Sequence, residues 1–468
     1  MISPRLVSIV AAATLGPLLF GYHMAELNAP QEIMTCQSEQ VAQDCIAMDP
    51  KQLGLVVAMN AVGGCIASVG AGPLADRIGR RRTLFYNCVL FIVGSMVMAY
   101  AKSVTMMGIG RLLAGMGSGA AIVVGPIYVN ELSPPKIRGT LGALVQLAVT
   151  IGIVLSQFLG ILWSTPSQWR LIFHTGWFIG GLHAILLPVL CVESPKWLAL
   201  KGMLPEARAA MTYARGKAMS EQDFEDELAQ WREASSQDEG RGLLSGDLPT
   251  GVSTTPENVS FANYVTDPYY RKSAIAVIGV MSLQQFSGIN SIVFYGVSIL
   301  KSSLPSLSGV MNVLISFINC IVTASIAPLV DKKGRKALLL TSMAGMTAFS
   351  FTLSVGLYIQ SAFISSVSAL LFVISFGTGL GAVPFLIISE LTPSPAAGIA
   401  QSVGTTANWV ANFLVGFLFP ILSSTLGSGV FLIFTATGLF SLFFTTRFVP
   451  ETKGKATVTQ VWTDFARK

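Results

Sequence analysis

The stretch PLADRIGRRRTL, residues 73–84, points to the architecture of the chain because it gathers charge between two long apolar runs. Asp76 and four arginines fall within seven of its residues. A short, Arg-rich connection between two apolar segments is typical of the cytosolic side of a membrane protein. The stretch therefore predicts two spanning helices joined by a cytosolic loop, and we term this side the inner side.

The composition agrees with a membrane protein. Only 12% of the 468 residues are charged and 52% are hydrophobic, whereas a soluble domain carries about 25% charged residues. Uncharged stretches cover residues 6–25, 52–75, 83–101, 112–130, 139–169, 171–192, 274–300, 302–330, 337–389 and 391–446. The last two are each long enough for two spans of about 20 residues. We therefore predict an all-α membrane protein with twelve transmembrane helices.

Several alternatives are disfavoured by the residues themselves. The first apolar run holds Gly21, Tyr22 and His23 and no small-residue cleavage pattern, so we interpret it as a span and not a secretory signal. The net charge of +6 does not indicate nucleic-acid binding, because the location of charge matters more than its total in a membrane protein. We expect no nucleic-acid partner, metal or cofactor.

The distribution of Lys and Arg orients the spans. With twelve spans and a cytosolic N-terminus, the short inner loops 76–82, 132–138 and 331–336 hold ten Lys and Arg. The short outer loops hold four, namely Lys51, Lys102, Arg170 and Lys301. This bias satisfies the positive-inside rule and predicts that both termini are cytosolic. Cys36 and Cys45 then share an outer loop, where they could either form a disulfide or stay free.

Three motifs recur with a common spacing. DRIGRRR at 76–82 returns as DKKGRK at 331–336, YVNELSP at 128–134 as LIISELTP at 386–393, and ESPKW at 193–197 as ETKGK at 451–455. The shared period predicts two six-helix halves in parallel orientation, as in transporters that rock about a central site. The expected divisions are a first half 1–192, a cytosolic linker 193–273 with short helices and a disordered stretch, a second half 274–446 and a cytosolic tail 447–468.

Ten motifs in order resemble one family over nearly the whole chain. They are GYHMAELNAPQ, DRIGRR, GRLLAGMGSG, PIYVNELSPPKIRG, QLAVTIGIVLSQ, ESPKWL, QQFSGIN, DKKGRK, NWVANF and VPETKGK. The chain resembles the sugar porters of the major facilitator superfamily, which include facilitative glucose transporters and proton–sugar symporters. The resemblance implies transport of a monosaccharide, a hexose above all, by alternating access. We expect a monomer in the plasma membrane or, because GYHMAELNAPQ resembles a fungal branch with vacuolar members, in the vacuolar membrane.

Amide side chains within the spans are the candidates for sugar binding. Amides offer both donor and acceptor groups, which suits an uncharged ligand rich in hydroxyls. The alternative is that they only join neighbouring helices. Gly288 between these amides predicts a broken helix at the site. From these patterns and the resemblance, the predicted substrate-binding set is Gln146, Gln157, Gln284, Gln285, Asn290, Asn319, Phe385, Asn408 and Trp409.

Three positions depart from the family pattern. Phe385 follows Pro384 where the family usually has Trp, so ring stacking would remain without the indole N–H. Gly377 replaces a frequent Glu, and Ala397 replaces an expected Arg seven residues after Glu390. These departures predict fewer polar groups on the sugar from the second half, and an asymmetric set of inner charges.

The charged motifs at the inner side predict an inner clasp, a set of ion pairs that joins the halves when the carrier opens outward. The alternative is a solvated surface cluster. The predicted inner clasp consists of Asp76, Arg80, Arg81, Glu131, Arg138, Asp331, Arg335 and Glu390.

Proton coupling depends on the motif GYHMAELN. Proton-coupled relatives resemble GYD here and facilitative carriers resemble GYN, whereas this chain has His23. Arg111 is the expected neighbour, and a guanidinium beside His23 would disfavour a second positive charge. Glu26 lies three residues on, and could supply the missing carboxylate or sit in the outer vestibule. We favour facilitated diffusion and keep proton symport, with protons as a second ligand, as the alternative.

The sequence disfavours two other function classes. A transporter-like sugar sensor would tend to have a long cytosolic tail, whereas residues 447–468 are short. An enzyme would need a nucleophile or metal partner for His174 or His183, and the sequence offers none. We therefore predict a carrier and not an enzyme.

Overall fold

A computed structural model describes residues 3–38, 44–134, 137–216, 222, 224–231, 261–393, 396–455 and 458–466. Every regular element within these ranges is a helix. The stretch predicted to be disordered, at 235–260, lies outside the described residues. In chain order the spans are Pro4–Ala25, Pro50–Ile78, Arg80–Ala99, Val104–Leu132, Arg138–Trp163, Leu171–Leu190, Pro268–Lys301, Ser308–Lys333, Arg335–Tyr358, Ala362–Leu391, Ala397–Leu426 and Val430–Phe448.

The number of crossings follows from length. Eleven apolar segments are long enough to span a bilayer, and the last of them, Ala397–Phe448, has 52 residues. One straight helix of that length would measure about 78 Å, more than twice the apolar core of a bilayer. The short turn Gly427–Gly429 divides it into spans eleven and twelve. The prediction of an all-helical, twelve-span fold is therefore confirmed.

Three spans are discontinuous. Span seven breaks at Gly288, whose φ of +88° is left-handed and separates helix Pro268–Phe286 from helix Ile289–Lys301, as the sequence predicted. Span ten breaks between Thr378 and Val383. Span one breaks at Thr14. Broken helices free backbone groups inside the membrane, and such groups are tolerated where they are buried in protein or line a cavity.

The two halves contact each other at their outer ends. Asn28 of the first half donates to the carbonyl of Val293 at 2.8 Å and accepts from the N–H of Val297 at 3.0 Å. Lys301 also pairs with Glu32 across the halves. No hydrogen bond or ion pair between described residues joins the halves at the inner end. The polar contacts that the described residues make between the halves thus lie at the outer end.

Spans two and eleven form the seam beside this closure. A Cβ on Gly54 would lie 2.4 Å from the carbonyl oxygen of Phe417, and one on Gly64 would lie 2.5 Å from the ring of Trp409. Glycine is therefore required at both positions for the helices to approach this closely. Towards the inner end, by contrast, a Cβ on Gly70 or Gly398 would have no neighbouring atom within 4 Å.

The linker and the tail lie on the inner side. Helices Pro195–Leu200 and Leu204–Arg215 follow span six, and helix Val458–Ala466 follows span twelve. Trp197 donates its indole N–H to the carbonyl of Asp76 at 2.9 Å, and Trp462 donates to that of Leu391 at 3.0 Å. Each half therefore carries its own inner helix. Span seven begins at Pro268, ahead of the residue-274 boundary predicted for the second half.

A disulfide closes the first outer loop. Cys36 and Cys45 are bonded, with their Cα atoms 5.4 Å apart, which decides the alternative that the sequence left open. Asp44, next to this bond, pairs with Arg170. Arg170 also donates to the carbonyls of Ala99 and Ala101, so one guanidinium joins three outer loops.

Asp44 has a perturbed pKa. Burial acts to raise the pKa of this carboxyl, but hydrogen bonds from Arg170 and Trp169 and the charge of Arg170 outweigh burial and lower it. The ionised form is therefore the one that the folded loop prefers.

Candidate functional site

Four predicted amides form one buried network at the break in span seven. Asn290 donates to Gln285 Oε1 at 2.6 Å, and Gln285 Nε2 donates to Asn408 Oδ1 at 3.1 Å. Asn408 Nδ2 donates in turn to Gln284 Oε1 at 2.6 Å. All four are less than 9% exposed. The network connects span seven to span eleven, and Gln284 extends it to the break in span ten through the carbonyl of Leu380 at 2.5 Å.

Three further members of the predicted set carry buried polar atoms without a partner among the described residues. They are Gln157 Oε1, Asn319 Oδ1 and Trp409 Nε1. An unsatisfied buried donor or acceptor costs about 1–3 kcal/mol. Two acceptors and one donor left open in this way can be satisfied by a ligand whose hydroxyls both donate and accept.

The remaining two members of the set lie where solvent or ligand can reach them. Gln146 is exposed, and Phe385 has 38% of its surface exposed. Gly377, one of the departures from the family pattern, lies beside Asn319. A Cβ there would come within 3.4 Å of Asn319 Oδ1 and 2.7 Å of Val322. The missing side chain at 377 therefore leaves the position beside the buried acceptor of Asn319 unfilled by a Cβ.

His23, Glu26 and Arg111 meet in a site with almost no exposure. Glu26 Oε2 lies 2.9 Å from His23 Nδ1, and Glu26 Oε1 lies 2.9 Å from Arg111 Nη1. All three are at most 1% exposed. Glu26 therefore does not sit in an open outer vestibule, which was one of the two predicted alternatives. Its carboxylate supplies the anion for Arg111.

The arrangement corrects one detail of the sequence interpretation. Arg111 contacts His23 through the backbone carbonyl of His23, while the Glu26 carboxylate lies against the imidazole ring. Phe91 stacks on the face of the His23 ring, with the two ring centroids 5.3 Å apart. Ser95 Oγ lies 3.4 Å from His23 Nε2 at the edge of the ring. The sequence did not single out Phe91 or Ser95, because neither carries a charge or a motif.

The inner charges of the first half form a compact cluster. Arg80 makes two hydrogen bonds to the Glu131 carboxylate, at 2.9 and 3.1 Å, and its Nη1 lies 2.9 Å from Asp76 Oδ1. Ser194 Oγ donates to Glu131 Oε2 at 2.6 Å. Glu193 accepts from the backbone N–H of Arg80 at 2.8 Å. This cluster joins the first half to the start of the linker and includes no described residue of the second half.

The second half repeats the contacts that Glu131 and Glu193 make in this cluster. Arg335 Nε donates to Glu390 Oε1 at 3.1 Å, Glu451 accepts from the N–H of Arg335 at 3.0 Å, and Thr452 donates to Glu390. Gly79 and Gly334 precede the two arginines with φ of +102° and +93°. A Cβ on either would collide with the carboxylate of Glu193 or Glu451. The repeat read from the sequence is thus a repeat of contacts.

Two predicted members of the inner clasp do not join these clusters. The guanidinium of Arg81 makes no hydrogen bond or ion pair with the described residues, and Arg138 is exposed. The side chain of Asp331 lies outside the described part of the chain. Conversely, Glu193 and Glu451 belong to the clusters but were not assigned a role. Their motifs, ESPKW and ETKGK, were the signal, since both recur at the common period.

Within the described ranges, no group of three His, Cys, Asp or Glu side chains is arranged to hold a metal ion. The predicted sugar site is built of amides and one indole, and the buried charged set of His23, Glu26 and Arg111 lies within the first half. Twelve spans in two repeat-related halves, broken helices at a polar site and closure at one end define a multi-span membrane transporter.

Comparison with known proteins identifies the family. The family model described as "Sugar (and other) transporter" matches residues 8–462, so the chain belongs to this family. A probable metabolite transport protein of Saccharomyces cerevisiae is 35% identical over 99% of this chain and 96% of its own length. Facilitated glucose transporter protein 1 of Caenorhabditis elegans is 34% identical over 97% of this chain and 89% of its own length.

A solved structure shares the fold. The inward-open xylose transporter XylE from E. coli superposes with a TM-score of 0.79 at 24% identity, over 98% of this chain and 99% of that chain. This likeness confirms the sugar-porter fold predicted from the motifs.

Proposed function

We propose that the chain carries a monosaccharide of the hexose class across a membrane by alternating access. The observation that carries the proposal is the set of unpaired buried atoms, Gln157 Oε1, Asn319 Oδ1 and Trp409 Nε1, around the amide network. A sugar hydroxyl can accept from the indole and donate to the amide oxygens. Membership of the sugar transporter family and the glucose-transporter relative support the same substrate class.

The mechanism that we favour is facilitated diffusion. Glu26 pairs with Arg111 and also lies against the His23 ring, so its carboxylate is already engaged by two partners in the folded structure. Proton symport is the second candidate, because His23 and Glu26 are in direct contact and either could carry a proton.

The membrane orientation is part of the proposal. Both termini and the linker are cytosolic, in line with the ten inner Lys and Arg. The disulfide then faces the non-cytosolic side of the plasma membrane or the vacuolar membrane, where disulfides persist. The carrier functions as a monomer.

The inner clasp acts in the opposite conformation. In this structure the Arg80–Glu131 and Arg335–Glu390 pairs each lie within one half. When the carrier opens outward, the inner ends of the halves approach and the clusters meet. The ion pairs formed there stabilise the outward-open state.

Uptake into proteoliposomes tests the function. A panel of radiolabelled hexoses and pentoses is offered with and without an imposed pH gradient. We expect saturable uptake of a hexose that stops at equal concentrations and ignores the gradient. Uptake of no sugar in the panel would contradict the substrate class, while gradient-driven accumulation would contradict facilitated diffusion alone.

A further inference from the structure

A groove at the inner end of the first half belongs to neither the polar site nor the charge cluster. Its volume is about 560 Å³. It lies between the start of span three, the end of span six and helix Pro195–Leu200. The residues that matter for its chemistry are Arg81, Arg82, Phe85, Tyr86, Leu187 and Trp197.

The cations of this groove are free to bind an anion. Neither guanidinium, of Arg81 or Arg82, makes a hydrogen bond or ion pair with any residue that the structure describes. Glu193 is the carboxylate in the lining, and it already accepts from the backbone N–H groups of Arg80, Arg81 and Ser194. These three bonds all fall on Oε1 of Glu193, and the two guanidiniums exceed this single carboxylate by one positive charge, which remains for a ligand.

The second half shows what fills the equivalent position. Lys336 matches Arg81 in the repeat, 255 residues later. It donates to the carbonyl of Thr446 at 3.0 Å and lies 5.2 Å from the ring centroid of Phe465, in the tail helix. In the second half, the ammonium group of Lys336 is therefore covered by other residues of the same chain. In the first half, no described residue covers Arg81 in this way.

The walls of the groove identify the kind of ligand. Tyr86 and Phe85 are 59% and 40% exposed, and Val189 at the end of span six is 66% exposed. These side chains continue the groove along the lipid-facing surface of spans three and six. Aromatic rings at a span end typically lie at the level of the lipid headgroups. A soluble anion would use the arginines but not this apolar wall.

We propose that the groove binds an anionic phospholipid of the inner leaflet, with its phosphate on Arg81 and Arg82 and an acyl chain along Phe85 and Leu187. Guanidinium forks match phosphate oxygens in geometry and charge. The inner leaflet is also the one that carries anionic lipids in cells. The site is separate from the sugar site and does not depend on which sugar is carried.

Native mass spectrometry of the full-length protein in neutral detergent tests the site. The protein is titrated with phosphatidylserine, and phosphatidylcholine with the same acyl chains serves as the uncharged probe. We expect one tightly retained phosphatidylserine per chain. Its affinity should fall about thirty-fold in the double variant Arg81→Gln/Arg82→Gln, since each arginine near the headgroups contributes about a factor of five.

Two further variants separate the groove from general surface charge. Arg77→Gln removes an exposed cation of the same loop outside the groove, and should retain the lipid as the wild type does. Met203→Trp fills the groove while both arginines stay, and should lose the lipid. This second variant also carries the test if the double variant fails to fold.

Four outcomes would overturn the proposal. Equal retention of phosphatidylcholine would mean a purely apolar groove, and displacement of the lipid by inorganic phosphate would mean a soluble-anion site. An equal loss in Arg77→Gln would assign binding to bulk charge. Unchanged retention in Met203→Trp would exclude the groove itself.

Discussion

The carboxylate of Glu26 lies 2.9 Å from the guanidinium of Arg111, and both side chains are at most 1% exposed. A buried pair of this kind is stable only while both partners are present, because each alone would be an uncompensated charge. The pair therefore holds span one against span four at the level of His23. It also determines how this region responds to substitution.

Glu26→Ala should destabilise the protein strongly. Removal of one partner leaves Arg111 charged and buried, and such losses cost about 3–5 kcal/mol. We expect a clearly lower melting temperature in detergent. Glu26→Ala combined with Arg111→Met removes both charges and should recover much of the loss. A single variant as stable as the wild type would contradict the pairing.

His23→Asn should leave sugar uptake intact and independent of the pH gradient. Asparagine keeps a donor for Glu26 and carries no titrating proton, so a uniporter loses nothing essential. Proteoliposome uptake at several imposed gradients measures this. If the wild type accumulates sugar against its gradient and His23→Asn or Glu26→Gln abolishes the accumulation, the carrier is a symporter.

Gln284→Ala/Gln285→Ala should weaken sugar binding by roughly ten-fold or more, because each lost hydrogen bond is worth about 0.5–1.5 kcal/mol. Equilibrium binding of the transported sugar to purified protein gives the constant. Asn319→Leu is a second and more specific variant. It removes no hydrogen bond of Oδ1 within the protein, since Asn319 Oδ1 has no described partner. It should weaken binding without lowering the melting temperature. Unchanged affinity in well-folded variants would remove these residues from the sugar site.

Glu131→Gln should shift the population towards the inward-open state. Glu131 takes two hydrogen bonds from Arg80 within its half, and its charge would add pairs across the halves only in the outward-open state. Thiol labelling of Gly398→Cys, at the open inner end, should therefore become faster. Arg77→Gln, an exposed neighbour of the cluster, is the matched control. Slower labelling would reverse the assignment of the clasp.

Asp44 should make the outer loop sensitive to acid. Its pKa in the folded protein lies below that of the free side chain, which is about 3.9. The stabilisation is therefore fully present above the free value and is lost as pH falls through the folded value. The gap in melting temperature between wild type and Asp44→Asn should shrink with acidification. A gap that stays constant down to the lowest pH would contradict this.

Much of the fold was predictable because apolar length, Arg placement and the repeat each constrain it separately. Gly288 was predictable as a break since no other residue type tolerates that backbone as easily. The break between Thr378 and Val383 was not, because it involves a contact with another span: the N–H of Leu380 donates to Ser342 Oγ. A contact of that kind leaves no local pattern in the sequence.

The site residues likewise divide into features that the sequence predicts and features that depend on contacts between spans. Residue chemistry pointed to the amides, but only the fold decides which amides bind each other and which keep a free atom. Arg80 and Arg81 are equivalent in the sequence. The conformation of Gly79 starts span three so that Arg80 faces Glu131 and Arg81 faces the groove.

Asn28 closes the outer end by binding backbone, not side chains: it accepts from one N–H and donates to the carbonyls of Ile292 and Val293. Every residue except proline offers the same backbone groups. These hydrogen bonds of Asn28 therefore do not depend on which side chains residues 292, 293 and 297 carry. Substitutions at these three positions other than to proline therefore leave the hydrogen bonds of the closed outer end available, whereas a change at Asn28 removes all of them at once.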